Sequence, residues 1–248
     1  MKQYDLPGAR VFFTEVGVGT APYRDNYGDH VPDNPQLVYE RRFALSEKLE
    51  APIVWMNQTH SVNVELLDPL KSSQYESGRL GEWGPIDADG IVVDCRTWET
   101  PPVLAVMTAD CMPVLLSSPQ GIIGAVHAGR VGFLGGILPR TLEVFRSCGM
   151  HNEDIHMLIG PCICGSCYEV SSQMKEESAA QCVGIASQTS WGSDALDLPA
   201  AALVWARECG IEASWIGECT LENDSYHSYR RSPECGRFAS LIATCREP

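Results

Sequence analysis

The sequence predicts an α/β fold of the α+β kind: a mixed β-sheet sandwich with helices packed outside. Three observations predict it. Apolar runs such as PIVWMN, VLAVMT and GIIGAV have the length of strands rather than helices and carry β-branched residues. Helical patterns fall between them at irregular intervals. Several neighbouring runs have short connections, which implies antiparallel pairs and argues against a doubly wound parallel sheet.

In order along the chain, ARVFFTEVGVG reads as a strand followed by a glycine-rich turn. APYRDNYGDHVPDNP is loop by its Asp, Asn, Gly and Pro content. PQLVYERRFALSEKLE is a helix: Asp33 or Asn34 can cap it, Pro35 suits its first turn, and Leu37, Val38, Leu45 and Leu49 recur at roughly helical spacing. PIVWMN and VNVELL are strands on either side of QTHS. KSSQYESGRLGEWGP reads as a polar loop leading to IDADGIVVD. VLAVMT and PVLL are strands flanking ADCM, and GIIGAV is a strand that ends at His127. GFLGGILPRTLEVFRSC is helical, with Pro139 placing the better part after it. IHMLIG is a strand, SSQMKEESAAQC and ALDLPAAALVWARECG are helices, and ASWIGECT is a closing strand. There is no internal repeat and no low-complexity linker, so residues 1–248 are expected to form one domain.

The chain has 248 residues, 44% of them hydrophobic, enough for a sizeable core. Its net charge of -14 repels nucleic-acid backbones and anionic lipid surfaces, so neither is expected as a partner. No apolar stretch is long enough to span a bilayer, and MKQYDLPGARVFF lacks the apolar core of an export signal. Eleven cysteines suit free thiols in a reducing cytoplasm, with a few acting as ligands.

Three polar residues follow strand-like runs: His60 after WMNQT, Cys111 after VMTAD and His127 after GAV. All three can lie at one sheet edge, where two imidazoles and a thiolate form a tripod for zinc with one position left open. Zinc so held acidifies water toward a pKa of about 7. The separations match no standard metal motif, and a buried Cys or a strand-end His also fits a packing role. Asp110 and the DAD at 87–89 supply carboxylates, one of which can orient a ligand histidine; a plain turn is the alternative for PIDADG. CICGSC at 162–167 lacks a second half at standard spacing and reads as packing or turn residues. Arg230, Arg231 and Arg237 gather in SYRRSPECGR, suited either to a phosphate or carboxylate or to surface ion pairs.

Read together and in order, NQTHS, DADGIVVD, LAVMTADCMPVLL, GAVHAGRVGFLGGIL, IGPCICGSCYEV, CT and HSYRRSPECGR resemble one family. It is the YfiH-like or PgeF-like family, also described as multicopper polyphenol oxidoreductases or purine nucleoside phosphorylases. The resemblance runs from about Phe12 to Arg237. It implies that His60, Cys111 and His127 are zinc ligands, and a sandwich fold related to cysteine-hydrolase-like toxin domains. It further implies phosphorolysis of adenosine, inosine, guanosine and methylthioadenosine, and hydrolytic deamination of adenosine, with a nucleoside and phosphate as partners. The chain departs from the family in HAGRVG, where H-A-G-W-R-G is usual, and in Ser61 and Glu15, which stand for a glycine and an arginine. Arg42 matches a family arginine on the first helix. These changes cluster where substrate is expected.

The resulting expectation is a zinc-dependent purine nucleoside enzyme. His60, Cys111, His127 and Asp110 would serve catalysis, and Arg42, Arg130 and Arg231 would hold phosphate. Four readings compete. One is an amidohydrolase that edits peptidoglycan precursors; another is a metal-independent cysteine hydrolase with Cys111 as nucleophile and His127 as base. A third is a binding protein that has kept the scaffold. The fourth, four-copper chemistry, needs on the order of ten histidines, given that imidazole is the usual copper ligand; the chain has six. Copper(II) would still enter the tripod adventitiously, because it binds most such sites more tightly.

Overall fold

The computed structural model describes residues 1–17 and 23–245. Most of the glycine-rich turn expected after the first strand lies outside them. β1 (Lys2–Leu6) and β2 (Ala9–Phe13) form an antiparallel hairpin. In α1 (Pro35–Leu49) the cap is Asn34, whose side chain accepts from the Gln36 N–H, and Pro35 opens the helix where its missing N–H costs nothing. β3 (Ile53–Met56) and β4 (Val64–Leu67) follow, then the short α2 (Ser72–Tyr75), β5 (Glu76–Arg79), β6 (Glu82–Ile86) and β7 (Gly90–Asp94). The stretch expected to be polar loop therefore holds a short helix and a hairpin. β5 is exposed throughout, so it lacks the apolar pattern by which a strand is recognised.

β8 (Val103–Thr108), β9 (Met112–Ser118) and β10 (Ile122–Ala128) are wholly buried. β10 runs one residue past His127. α3 (Arg130–Leu134) and α4 (Ile137–Ser147) come next. Pro139 does not delay α4; it sits in the first turn, where backbone N–H groups have no helical acceptor in any case. β11 (His156–Ile159), α5 (Ser172–Gln181), β12 (Ala186–Gln188), β13 (Asp194–Leu196), α6 (Leu198–Glu208), β14 (Glu212–Trp215) and β15 (Phe238–Thr244) complete the order. The Ala195–Leu196 start of the expected last helix is strand; Asp197 caps the helix instead by accepting from the Ala200 N–H.

Two large mixed sheets result. One has the order β1-β2-β15-β8-β3-β6-β5, the other β14-β11-β9-β10-β7-β4. β9–β10 is antiparallel, as its short connection predicts; β7–β10 is also antiparallel although two strands intervene in sequence, whereas β3 pairs parallel with both β6 and β8, and β4 with β7. Between the sheets lie Val11, Phe13, Val54, Met56, Leu104, Ile91, Val93, Leu115 and Ile123. Their strand neighbours point the other way. Phe12, Ile53, Trp55 and Leu241 pack with Leu45 of α1, and Val92, Val114, Leu116 and Val126 pack with Leu142 and Phe145 of α4 and Ala202 of α6. Alternate residues thus enter different cores, which is why these strands read as continuous apolar runs. Gly124 lets α4 approach β10: a Cβ there would lie 3.0 Å from the Phe145 ring.

Two connections matter for function. The chain crosses from one sheet to the other between β3 and β4, and again between β8 and β9. Each crossing is a short loop at the same end of the sandwich, and each delivers one of the residues discussed next.

Candidate active site

His60 arrives on the β3–β4 crossing, Cys111 on the β8–β9 crossing, and His127 at the end of β10, where it pairs in register with Pro113. Their ligand atoms lie within 4.8 Å of one another. His60 Nε2 is 3.6 Å from Cys111 Sγ, and the two imidazole rings meet edge to face at 4.7 Å. Residues that are separate in sequence therefore form a single group.

The local backbone is strained where it serves this group. His60 (φ 61°) and Asp110 (φ 89°) are two of four non-glycine residues with positive φ among those described. Such conformations persist only where surrounding bonds impose them. Asp89 imposes the first. Its fully buried carboxylate accepts from the backbone N–H groups of Thr59, His60 and Ser61 and from the Ser61 hydroxyl, the last two at 2.6 Å. The Ser61 hydroxyl thus adds a bond to the loop. Asp89 also accepts from His127 Nδ1 at 2.8 Å, which leaves Nε2 as the nitrogen that a metal would take in place of a proton. The DAD segment is therefore more than a turn.

Electrostatics follow from these contacts. Burial disfavours the Cys111 thiolate, but bonds to His127 and His60 outweigh it and bring its pKa down to about 6. Burial disfavours the His127 imidazolium, but Asp89 and Cys111 lift it to about 9. Burial likewise opposes the Asp89 carboxylate, yet His127 and Ser61 hold it well below the usual carboxylate range. Two imidazoles and a readily ionised thiol, one imidazole fixed by a carboxylate, fit a zinc ion on the chemistry of the donors alone.

The group forms the floor of a cavity of about 440 Å³, the size that small-molecule sites require. Arg130, Arg230 and Arg237 line it, together with Tyr168, Tyr229 and His30. Three arginines facing one cavity in so acidic a chain mark it for an anion. Arg130 opens α3 and lines the cavity; its neighbour Val131 is 53% exposed.

Two expected phosphate contacts lie elsewhere. Arg42 is 2% exposed; it donates to Glu82 and the Tyr27 carbonyl and stacks on Trp55, so its guanidinium is consumed in packing. Arg231 donates to the carbonyls of Thr220, Leu221 and Tyr226, away from the cavity. Its neighbour Arg230 is the one that faces inward, stacked 4.9 Å over Tyr168. Asp110 does line the cavity, but its oxygens accept from the Thr220 hydroxyl and the Arg230 N–H. It ties two loops to the β8–β9 crossing. Of the other histidines, His30 lines the cavity, whereas His151, His156 and His227 do not; His156 faces Glu212, and His227 is bonded to the Arg24 carbonyl.

A family model described as multi-copper polyphenol oxidoreductase laccase matches residues 9–245. The chain belongs to that family. Among relatives of this laccase-type family, a purine nucleoside phosphorylase of Mycobacterium tuberculosis is 38% identical over 241 residues, covering 94% of this chain and 90% of its own. One of Streptomyces coelicolor is 35% identical over 245 residues, covering 95% of each. Among solved structures, YlmD of Geobacillus stearothermophilus superposes with a TM-score of 0.82 at 26% identity, covering 97% of this chain and 93% of its own. A Neisseria meningitidis protein gives 0.80 at 29%, covering 98% of each. The sandwich is thus the family's fold.

Proposed function

We propose that the chain is a zinc-dependent purine nucleoside enzyme that cleaves nucleosides by phosphorolysis and deaminates adenosine. One observation carries the reading: the His60–Cys111–His127 group opens into a cavity walled by Arg130, Arg230 and Arg237. The names of the curated relatives support the phosphorolysis half of it. His60, Cys111 and His127 would hold the metal, which when bound supplies a Lewis acid and acidified water. The arginines hold the phosphate dianion and aim it at C1′ of the ribose. As the new C–O bond forms, the glycosidic bond breaks, and its electron pair leaves with the base, which takes up a proton. Tyr168 and Tyr229 supply flat apolar surface for the purine. Asp89 holds His127 in one tautomer, and Asp110 keeps the loop carrying Arg230 in place.

The test is turnover of adenosine with and without phosphate, on protein of measured zinc content, beside variants with His60, Cys111 or His127 changed to alanine. Adenine release that needs phosphate and disappears with the metal in all three variants is the expected result. Base release without phosphate would exclude phosphorolysis, and full activity in metal-free protein would exclude the zinc role.

A second reading rests on the lowered Cys111 pKa beside a raised His127, the pairing of a thiol nucleophile with its base. It predicts a hydrolase that survives chelation and dies on alkylation of Cys111.

A further inference from the structure

The described residues bring together a second group of metal-capable side chains: Cys164, Cys167, Cys219 and Glu222, with ligand atoms within 4.8 Å of one another. None of them belongs to the site above. Cys164 and Cys167 share a tight turn, in which the N–H groups of Cys167 and Tyr168 both donate to the Cys164 carbonyl at 3.0 and 2.9 Å. Gly165 between them has no room for a side chain, since a Cβ would lie 2.4 Å from an Asp197 oxygen. Cys219 comes from a distant segment, held alongside by a parallel bridge to Cys162. The Asn223 N–H then donates to the Cys219 carbonyl, closing a turn that brings Glu222 back to the thiols.

Three features point to an ion rather than to packing. The Cys164 N–H is aimed at Cys219 Sγ at 3.5 Å, so the backbone of the turn already faces the sulfur of the distant segment. The thiols of Cys167 and Cys219 are buried while Glu222 stands at the surface, so the group has a shielded soft interior and a charged entrance. A disulfide would use two thiols and leave the third and the carboxylate unexplained, and all three cysteines are free.

We infer that Cys164, Cys167, Cys219 and Glu222 form a structural zinc site. Four protein ligands complete a tetrahedron and leave no position for substrate. Thiolates select zinc over magnesium or calcium, and the carboxylate makes the set harder than copper(I) prefers. Loading releases the thiol protons to solvent. The ion would pin the 164–168 turn to the 219–222 segment. The first stretch adjoins Ile163 and includes Tyr168, both lining the active cavity, and the second carries Thr220, which donates to Asp110. The second metal therefore braces the wall of the cavity without touching its chemistry.

Cobalt(II) titration of metal-stripped, full-length protein tests this, with Cys111→Ser and Cys219→Ser alongside. The expected result is two equivalents of metal in the unsubstituted protein. Strong sulfur-to-cobalt charge-transfer absorption should survive Cys111→Ser and mostly vanish in Cys219→Ser. A variant that fails to fold does not block the test, because alkylation of the zinc-loaded unsubstituted protein reads the same ligands. Cys164, Cys167 and Cys219 should be protected until a chelator is added. Charge-transfer intensity untouched by Cys219→Ser, alkylation of these cysteines indifferent to zinc, or a Cys164–Cys167 disulfide in the purified protein would each overturn the assignment. Because the two sites share no residue, loss of the His60–Cys111–His127 metal leaves this readout intact, and the two assignments fail separately.

Discussion

Gly129 offers a way to disturb the metal group without altering a ligand. A Cβ there would lie 2.8 Å from His60 Cδ2 and 3.1 Å from Cys111 Sγ. Unbonded carbon atoms settle at about 3.5–4.0 Å, so Gly129→Ala forces a displacement of roughly 0.7 Å or more. Zinc sites hold their bond lengths to about 0.2 Å, and the methyl group exceeds that several-fold. The backbone raises no objection, since Gly129 has φ -66° and ψ 166°, which alanine adopts freely. As the N-cap of α3, the change costs about 1 kcal/mol of folding stability, a fall of roughly 2–4 °C in the melting temperature. Zinc affinity should fall by at least about 10–100-fold, the loss that a disturbed supporting shell produces. Competition against a chromophoric chelator measures this, with thermal unfolding of the metal-free protein as control. Zinc affinity equal to that of the unsubstituted protein would refute the reasoning, as would global unfolding, which would move the fault from the site to the fold.

Asp89→Ala should be more damaging to folding, because it strands the N–H groups of Thr59, His60, Ser61 and His127; a loss of about 3–5 kcal/mol is expected, read as a lower urea midpoint of the metal-free protein. In metal-free protein, alkylation of Cys111 should reach half its maximal rate near pH 6 and slow below it, as the thiolate gains its proton; a midpoint above pH 8 would remove the argued support from His127 and His60. His227 supplies a pH dependence of stability. Burial, aided by Arg237 and opposed by the Arg24 carbonyl, lowers its pKa to about 4. Its folded state therefore excludes a proton that the unfolded chain binds from pH 6.5 downward. Stability is complete above 6.5 and falls by roughly 3 kcal/mol as pH drops toward 4. His227→Gln should flatten this slope in urea unfolding at several pH values, and an unchanged slope would assign it to other groups.

The fold class was legible because the central strands are buried on both faces and so appear as short, uninterrupted apolar runs. Which strands pair was not. VLAVMT and the run after ADCM look like a hairpin, yet they enter different sheets, because a three-residue loop can cross a sandwich as readily as it can turn. The exposed strand Glu76–Arg79 has no apolar face to advertise it. ASWIGECT looks like the closing strand, whereas Phe238–Thr244 forms one more beyond it. At the site, residue type and strand-end position suggested His60, Cys111 and His127, and the family resemblance singled them out. The choice between Arg230 and Arg231 turns on one position of register in an irregular loop, which no periodicity reports. Arg42 looks like an anion contact because it matches a family arginine on the first helix, whereas nothing in the sequence shows that Glu82, forty positions on, takes its guanidinium.

The three residues of the metal group do not rest on equally firm ground. Cys111 immediately precedes β9 and His127 lies within β10, adjoining buried strands of one sheet, the kind of element that opens only at the highest free energies. His60 hangs on an exposed loop fixed chiefly through one carboxylate, and such a segment opens locally at far lower free energy. Exchange of a bound ion should therefore be a two-speed process. A fixed pair of donors waits while the third swings, and the opening frequency of residues 59–61 sets how fast metal enters and leaves.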